Sequence, residues 1–390
     1  MIGVLDPSVT YPDHGVGSWT AREAMEQVIL SALVKPRCVV DFSGGRDSSV
    51  VLAIASHVAR REGLPLPVPF TRRFPEAPMA EESQWQELVI RHLRLPDWER
   101  REVTQELDLI GDRAQRFLRR YGLLLPAPIY HWTLSFELAT GGSHLTGEGG
   151  DEMLSTYRAR AALAALRSPR SLLHRSRAMS FLANVAPGSA RAPLLRRTYA
   201  SIYPLAHKQW MTPDAFSSFV ERYAAQEASE PLSWRQALHW NISLRTVIAM
   251  KQNSGAIALD YDVKHLDPFF DATFVSALAQ SRRTAGFVNR TQATSYLAGD
   301  LLPLKLLGRR SKAAFNNAYF AKMSRAFAET WDGSGVDSEL VDAEALKREW
   351  LKPVPPGPST ALLQAAWMAQ HGVPQVPVTA NTSSPDSNEL

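Results

Sequence analysis

A single cysteine, Cys38, stands in 390 residues. That excludes an internal disulfide framework, a cysteine-based zinc site and paired thiols for sulfur transfer. Cys38 opens an apolar run and reads as a small buried hydrophobe. Long apolar runs are missing as well, since none approaches the roughly 18 residues of a membrane span. Residues 1–10 show no basic segment followed by an apolar one, so no secretory signal is expected. An apolar share of 45% beside 21% charged residues is that of a soluble globular chain. A cytoplasmic location is the expectation.

The most informative stretch present is Val39-Val40-Asp41-Phe42-Ser43-Gly44-Gly45-Arg46-Asp47-Ser48-Ser49. A short apolar strand runs into a glycine turn and then into an apolar helix expected over about 48–60. Glycines let the backbone pass close to a phosphate. Ser48 and Ser49 suit the first helical turn, where side-chain oxygens cap free amides. The helix N-terminus offers N–H groups and positive dipole to an anion. Asp47 is out of place beside phosphate unless a cation lies between them, so the stretch reads as a site for pyrophosphate plus Mg²⁺. It lacks the lysine of the Walker loop and resembles the PP-loop of ATP pyrophosphatases, which cleave ATP to AMP and pyrophosphate.

Around this loop, helices are expected over 21–34, 81–93, 108–121 and 129–139, and strands over 66–74, 100–103 and 143–146. Strands alternating with helices at this spacing indicate an α/β fold with a parallel sheet covered on both faces. Beyond about 153 the pattern is helical, with no strand expected. The domain reading is a lead-in over 1–35, a synthetase domain over 36–352 and a Pro-rich segment over 353–390. The synthetase domain divides into an α/β core to about 155 and a helical part from 156. The last segment carries a helix over 360–371 and a tail expected to be disordered.

A second loop, Gly147-Glu148-Gly149-Gly150-Asp151-Glu152, follows the strand ending at Thr146. Three carboxylates on a glycine-rich loop at a strand end are placed to meet the first loop, because ligands in open α/β sheets bind at the carboxyl ends of strands. Asp47 and Asp151 would then share a Mg²⁺ through hard oxygen ligands, leaving Glu148 for proton transfer or substrate orientation.

Together the two loops resemble the synthetase domain of the asparagine synthetase family, which includes β-lactam synthetases and lasso-peptide macrolactam cyclases. Asp267-Pro268-Phe269-Phe270-Asp271 is similar to the family's Pro-Phe-Leu-Asp element. Leu302-Pro303 with Arg309-Arg310-Ser311-Lys312-Ala313-Ala314-Phe315 is similar to its Leu-Pro and Arg-x-Lys-x-x-Phe elements. The resemblance spans about 36–320. It implies that Ser43, Gly44, Gly45, Asp47, Ser48 and Ser49 hold the pyrophosphate of ATP and that Asp47 and Asp151 bind Mg²⁺. Gly147 would approach the nucleotide, and Glu148 would act as acid/base or orient substrate. Lys312 would stabilise charge on the adenylate and the following transition state, a role that suits a compact cation. The implied reaction joins a carboxylate to an amine, by way of an acyl-adenylate, with release of pyrophosphate and AMP.

Departures from the family pattern bear on the substrate. Ile2 stands where the glutaminase domain of the full family enzyme has its cysteine, so that domain is expected to be absent and the amine to be ammonia or part of the substrate. Asparagine synthetases carry Gly-x-Glu-x-Arg-x before Pro-Phe, where this chain reads Asp262-Val263-Lys264-His265-Leu266-Asp267. The missing Glu and Arg point to a small-molecule or peptide carboxylate other than aspartate, as in macrolactam formation on a peptide. Arg46 stands where an apolar residue is usual. No acidic residue occurs from Met153 to Pro213, against ten Arg and Lys. A one-sided face of this kind would suit an acidic peptide or carrier protein. Nucleic acid is the weaker partner, with no RNA-binding module beside the charge. An RNA-modifying PP-loop enzyme and a catalytically dead scaffold are the readings of other classes.

Overall fold

The computed structural model describes residues 19–77, 80–155, 157–166, 181–202, 209–281, 286–309 and 316–374. Its sheet has five strands: β1 Cys38–Asp41, β2 Val68–Arg73, β3 Glu99–Glu102, β4 Ser143–Leu145 and β5 Lys264–Leu266. They run parallel in the order β3-β2-β1-β4-β5. The chain builds outward from β1 to β3 and then returns to the other side of β1. The point of reversal therefore lies between β1 and β4, where their carboxyl ends open a crevice.

Alternation along the strands divides the core. Cys38 and Val40 face a cluster with helix α1 (Ala21–Leu33) and helix α2 (Arg46–Arg61), while Val39 faces Phe70, Ile129, Trp132 and Phe136. Burial pushes the Cys38 thiol up to about 11, so it stays protonated as a packing residue. Helix α1 starts on a capping box: Glu23 N donates to Thr20 Oγ1 at 3.2 Å and Thr20 N to Glu23 Oε2 at 2.7 Å. Helix α2 is apolar nearly all round because the sheet, α1 and helix Arg290–Ala298 enclose it. The edge strand β3 presents only exposed Glu99, Arg100, Arg101 and Glu102, a charged edge that discourages pairing with another chain.

Several expectations need correction. The helical half does contain a strand, β5, paired with β4 through Ser143↔Lys264 and Leu145↔Leu266. Three residues with lysine and histidine among them carry no readable alternation, and only the neighbouring strand makes them β. The helix expected over 108–121 spans Asp112–Tyr121. Asp108 is instead a fully buried turn residue whose carboxylate accepts from Ile110 N, Met323 N, Ser324 N and Ser324 Oγ. It thereby caps helix Lys322–Thr330 from 215 residues away in sequence. The helix expected over 129–139 is a 3₁₀ turn, Ala127–Trp132, followed by helix Thr133–Ala139. Pro128, which has no N–H to give, lies in that turn.

The basic stretch is also not one face. Arg158 and Arg191 are buried. Arg158 donates to the carbonyls of Asn184 and Ala186 at 2.9 and 2.7 Å. Arg191 donates to the Glu227 carbonyl and to Glu230 Oε2, neutralising the C-terminal end of helix Pro213–Ala228. Arg167, Arg170, Arg175, Arg177 and Lys208 lie outside the described residues, as does most of the C-terminal tail, 375–390. A further helical layer holds Trp210, Trp331, Trp350 and Trp367 against Leu109 and Leu118, and helix Thr360–Gln370 packs into it. No helix among the described residues is long and apolar enough to cross a membrane.

Candidate active site

The loops after β1 and β4 line one cavity of about 550 Å³ at the point of reversal. That is within the size range of small-molecule sites. In the first loop Gly44 takes φ +83°, a conformation that favours glycine, and Gly45 is the N-cap of α2. The serine capping expected there is reversed. No side chain caps the helix amides; Ser49 Oγ donates to the Gly45 carbonyl at 2.7 Å. Ser48 Oγ sits 3.1 Å from Ser43 Oγ and accepts from Ser43 N at 3.3 Å. The first-turn amides of α2 thus remain without side-chain caps, at the positive end of a sixteen-residue dipole. Ser43, Gly45, Asp47 and Ser48 line the cavity, whereas Gly44 and the buried Ser49 lie behind it.

The second loop touches the first. A Cβ on Gly147 would lie 2.5 Å from Ser48 N, and one on Gly150 would lie 2.3 Å from Asp47 Cγ. Gly147 therefore makes its close approach to the backbone of the first loop. Gly149, at φ +90°, leaves room for Phe269 and Phe270 of the Pro-Phe-Phe element. Asp271 of that element caps the next helix, with Thr273 N donating to Oδ1 at 2.8 Å.

Asp47 and Asp151 converge on a residue the sequence analysis did not single out. Arg290, at the start of helix Arg290–Ala298, forms ion pairs with both carboxylates. Asp47 Oδ1 remains buried without a hydrogen-bond partner. Two carboxylates sharing one cation, with a buried oxygen still free, fit the donor set of Mg²⁺, which takes one or two carboxylates and completes its shell with phosphates and water.

Glu148 projects into the cavity. Its backbone N–H donates to Thr146 Oγ1 at 3.1 Å. The Thr146 hydroxyl in turn donates to Asp267, which faces His265 Nε2 at 3.4 Å. Enclosure by the cleft walls, then Asp267, Glu152, Asp41 and Asp47, push the Glu148 carboxyl up to about 8. The side chain is wetted by the open cavity, which tempers the effect of enclosure. The carboxyl keeps its proton to higher pH than a free glutamate and becomes a proton acceptor as pH rises through about 8. Farther along the wall, Arg72 Nη2 donates to Asp41 Oδ2 at 2.6 Å. Beside it, burial and then Arg72 drive His131 down to about 3, so its ring is neutral. None of Arg72, His131, Tyr319 or Arg309, all lining residues, was singled out from sequence as a site residue. Lys312 lies outside the described residues.

A family model described as asparagine synthase matches residues 21–370. The chain belongs to the asparagine synthase family. The match takes in the sheet, both loops and the helical layer through helix Thr360–Gln370. No curated protein matches the chain. At the level of the family the chain is an ATP-dependent, amide-forming carbon–nitrogen ligase, and enzymes of this family use ATP, usually with Mg²⁺.

Proposed function

We propose that the protein adenylates a carboxylate substrate and transfers the acyl group to an amine. A carboxylate oxygen attacks the α-phosphorus of ATP, the bond to the β-phosphate breaks, and pyrophosphate leaves. The amine nitrogen then attacks the acyl carbon, AMP leaves with the electrons of the acyl–oxygen bond, and the nitrogen gives up a proton. In this reading the 42–49 loop and the first turn of α2 cradle the pyrophosphate part. Asp47 and Asp151 would hold Mg²⁺, which neutralises triphosphate charge when bound. Glu148 exchanges the amine's proton, and Lys312 balances charge on the adenylate.

The observation that carries this reading is the contact between the two loops, which brings Asp47 and Asp151 to one shared cation beside the amides of α2. The loss of the family's Glu and Arg supports a substrate other than aspartate. Lys264, at the place of that Glu, is turned to Ser31, with Nζ 2.8 Å from the carbonyl oxygen, and neither it nor Leu266 lines the cavity. A peptide carboxylate closing on an amine of the same molecule is therefore preferred to aspartate and ammonia.

ATP–pyrophosphate exchange with Mg²⁺ tests the proposal, comparing aspartate with a panel of other acids and peptides and using Asp47→Ala as control. Exchange driven by a non-aspartate acid and lost in the variant is expected. Exchange with aspartate alone overturns the substrate assignment, and ATP cleavage to ADP overturns the mechanism.

A further inference from the structure

The peptide carbonyls of the phosphate loop are held by side chains that nothing in the reaction calls for. Gln86 Nε2 donates to the Ser43 carbonyl at 3.1 Å, and Arg309 Nη1 to the Gly44 carbonyl at 2.9 Å. Gln86 belongs to helix α3 (Ser83–Leu93), and Glu82, just before that helix, forms an ion pair with Arg309. The pair is almost dry, at 3% and 7% side-chain exposure, and the guanidinium lies 4.9 Å from the Trp85 ring centroid. A Cβ on Gly44 would lie 2.7 Å from Gln86 Cγ, so the helix is packed directly onto the loop. Burying two charges is costly unless they are paired and geometrically well placed. Here the pair delivers one fixed N–H to a loop carbonyl.

We infer that Arg309, Glu82 and Gln86 are positioning residues that set the peptide planes of the phosphate loop and thereby its affinity for pyrophosphate. In a trans peptide the carbonyl and the following N–H point in opposite directions. Tying the Ser43 and Gly44 carbonyls to α3 and Arg309 points the following N–H groups the other way, that of Gly45 onto Ser43 Oγ at 3.2 Å, so the serine hydroxyl that lines the cavity is fixed along with the peptide planes. The inference rests on the reading of the 42–49 loop as the phosphate site.

The test is calorimetric binding of Mg²⁺-pyrophosphate and of adenosine to full-length wild type, Arg309→Met, Arg309→Lys and Gln86→Leu, with thermal melts alongside. Loss of a charge-assisted or well-placed hydrogen bond predicts about tenfold weaker pyrophosphate binding in Arg309→Met and Gln86→Leu. Adenosine affinity stays unchanged, and Arg309→Lys recovers part of the loss. Should Arg309→Met fail to fold, Gln86→Leu, which removes no charge, decides alone. Unchanged pyrophosphate binding, or an equal fall for both ligands, overturns the inference while leaving the proposed function standing. Wild type that binds neither pyrophosphate nor ATP overturns both.

Discussion

Replacing Gly147 by alanine puts one methyl group between the two loops. The added carbon would lie 2.5 Å from Ser48 N and 2.9 Å from both Asp47 C and Ser48 Cα, where ordinary contact begins at 3.4 Å. All three atoms are backbone, in the first turn of α2, so no rotamer change relieves the overlap. The loops must part by nearly an ångström. A shift of that size in a reacting geometry costs on the order of 10²-fold in rate, while overpacking itself costs about 1–3 kcal/mol. The assay is ATP–pyrophosphate exchange on protein shown to be folded by its melting curve. Activity should fall by far more than the folded fraction does. Gly255→Ala is the control. It lies within helix Arg245–Asp260 with nothing within 4 Å of the added carbon, and should gain roughly 0.5–1 kcal/mol of stability with unchanged exchange. Exchange at the wild-type rate in folded Gly147→Ala refutes the claim that contact between the loops assembles the site.

Arg290→Gln removes the cation shared by Asp47 and Asp151, so Mg²⁺ alone should raise the melting temperature of the variant more than that of wild type; equal shifts would refute a common site. Asp108→Ala leaves the amides of Ile110, Met323 and Ser324 without their acceptor in a dry turn. It should cost about 3 kcal/mol or more, read as a lower denaturant midpoint. The Glu148 carboxyl is raised from its ordinary 4.5 to about 8, so its contribution to stability is complete below 4.5 and is lost as pH rises through about 8. For the same reason acyl transfer to the amine should climb with pH towards a plateau above about 8. In Glu148→Gln both the pH-dependent stability loss and the climb should disappear from the melting and rate profiles.

The strand–loop–helix from Cys38 to Arg61 was readable because its determinants are local. An apolar run, a glycine that takes positive φ and an apolar helix lie within two dozen consecutive residues. The second loop was readable for the same reason, as glycines and carboxylates at a strand end. The boundaries at 108 and 129 were misplaced where a distant partner or a proline chose the local geometry. Asp108 looks like a helix-starting residue until helix Lys322–Thr330 is set beside it.

What the sequence determined by itself is therefore the family-level chemistry: the two loops, the identity of their acids, and the two strands, β1 and β4, that present them. The tertiary structure alone decided which charges serve the site. Arg290 reaches Asp151 across 139 positions and Arg309 reaches Gly44 across 265. Arg158 and Arg191 turn inward from a run that reads as a solvated face. An arginine in a polar stretch has the same local signature whether it ends in water or in a buried pair. The difference is made by desolvation and by partners far along the chain, and no window of neighbouring residues contains either.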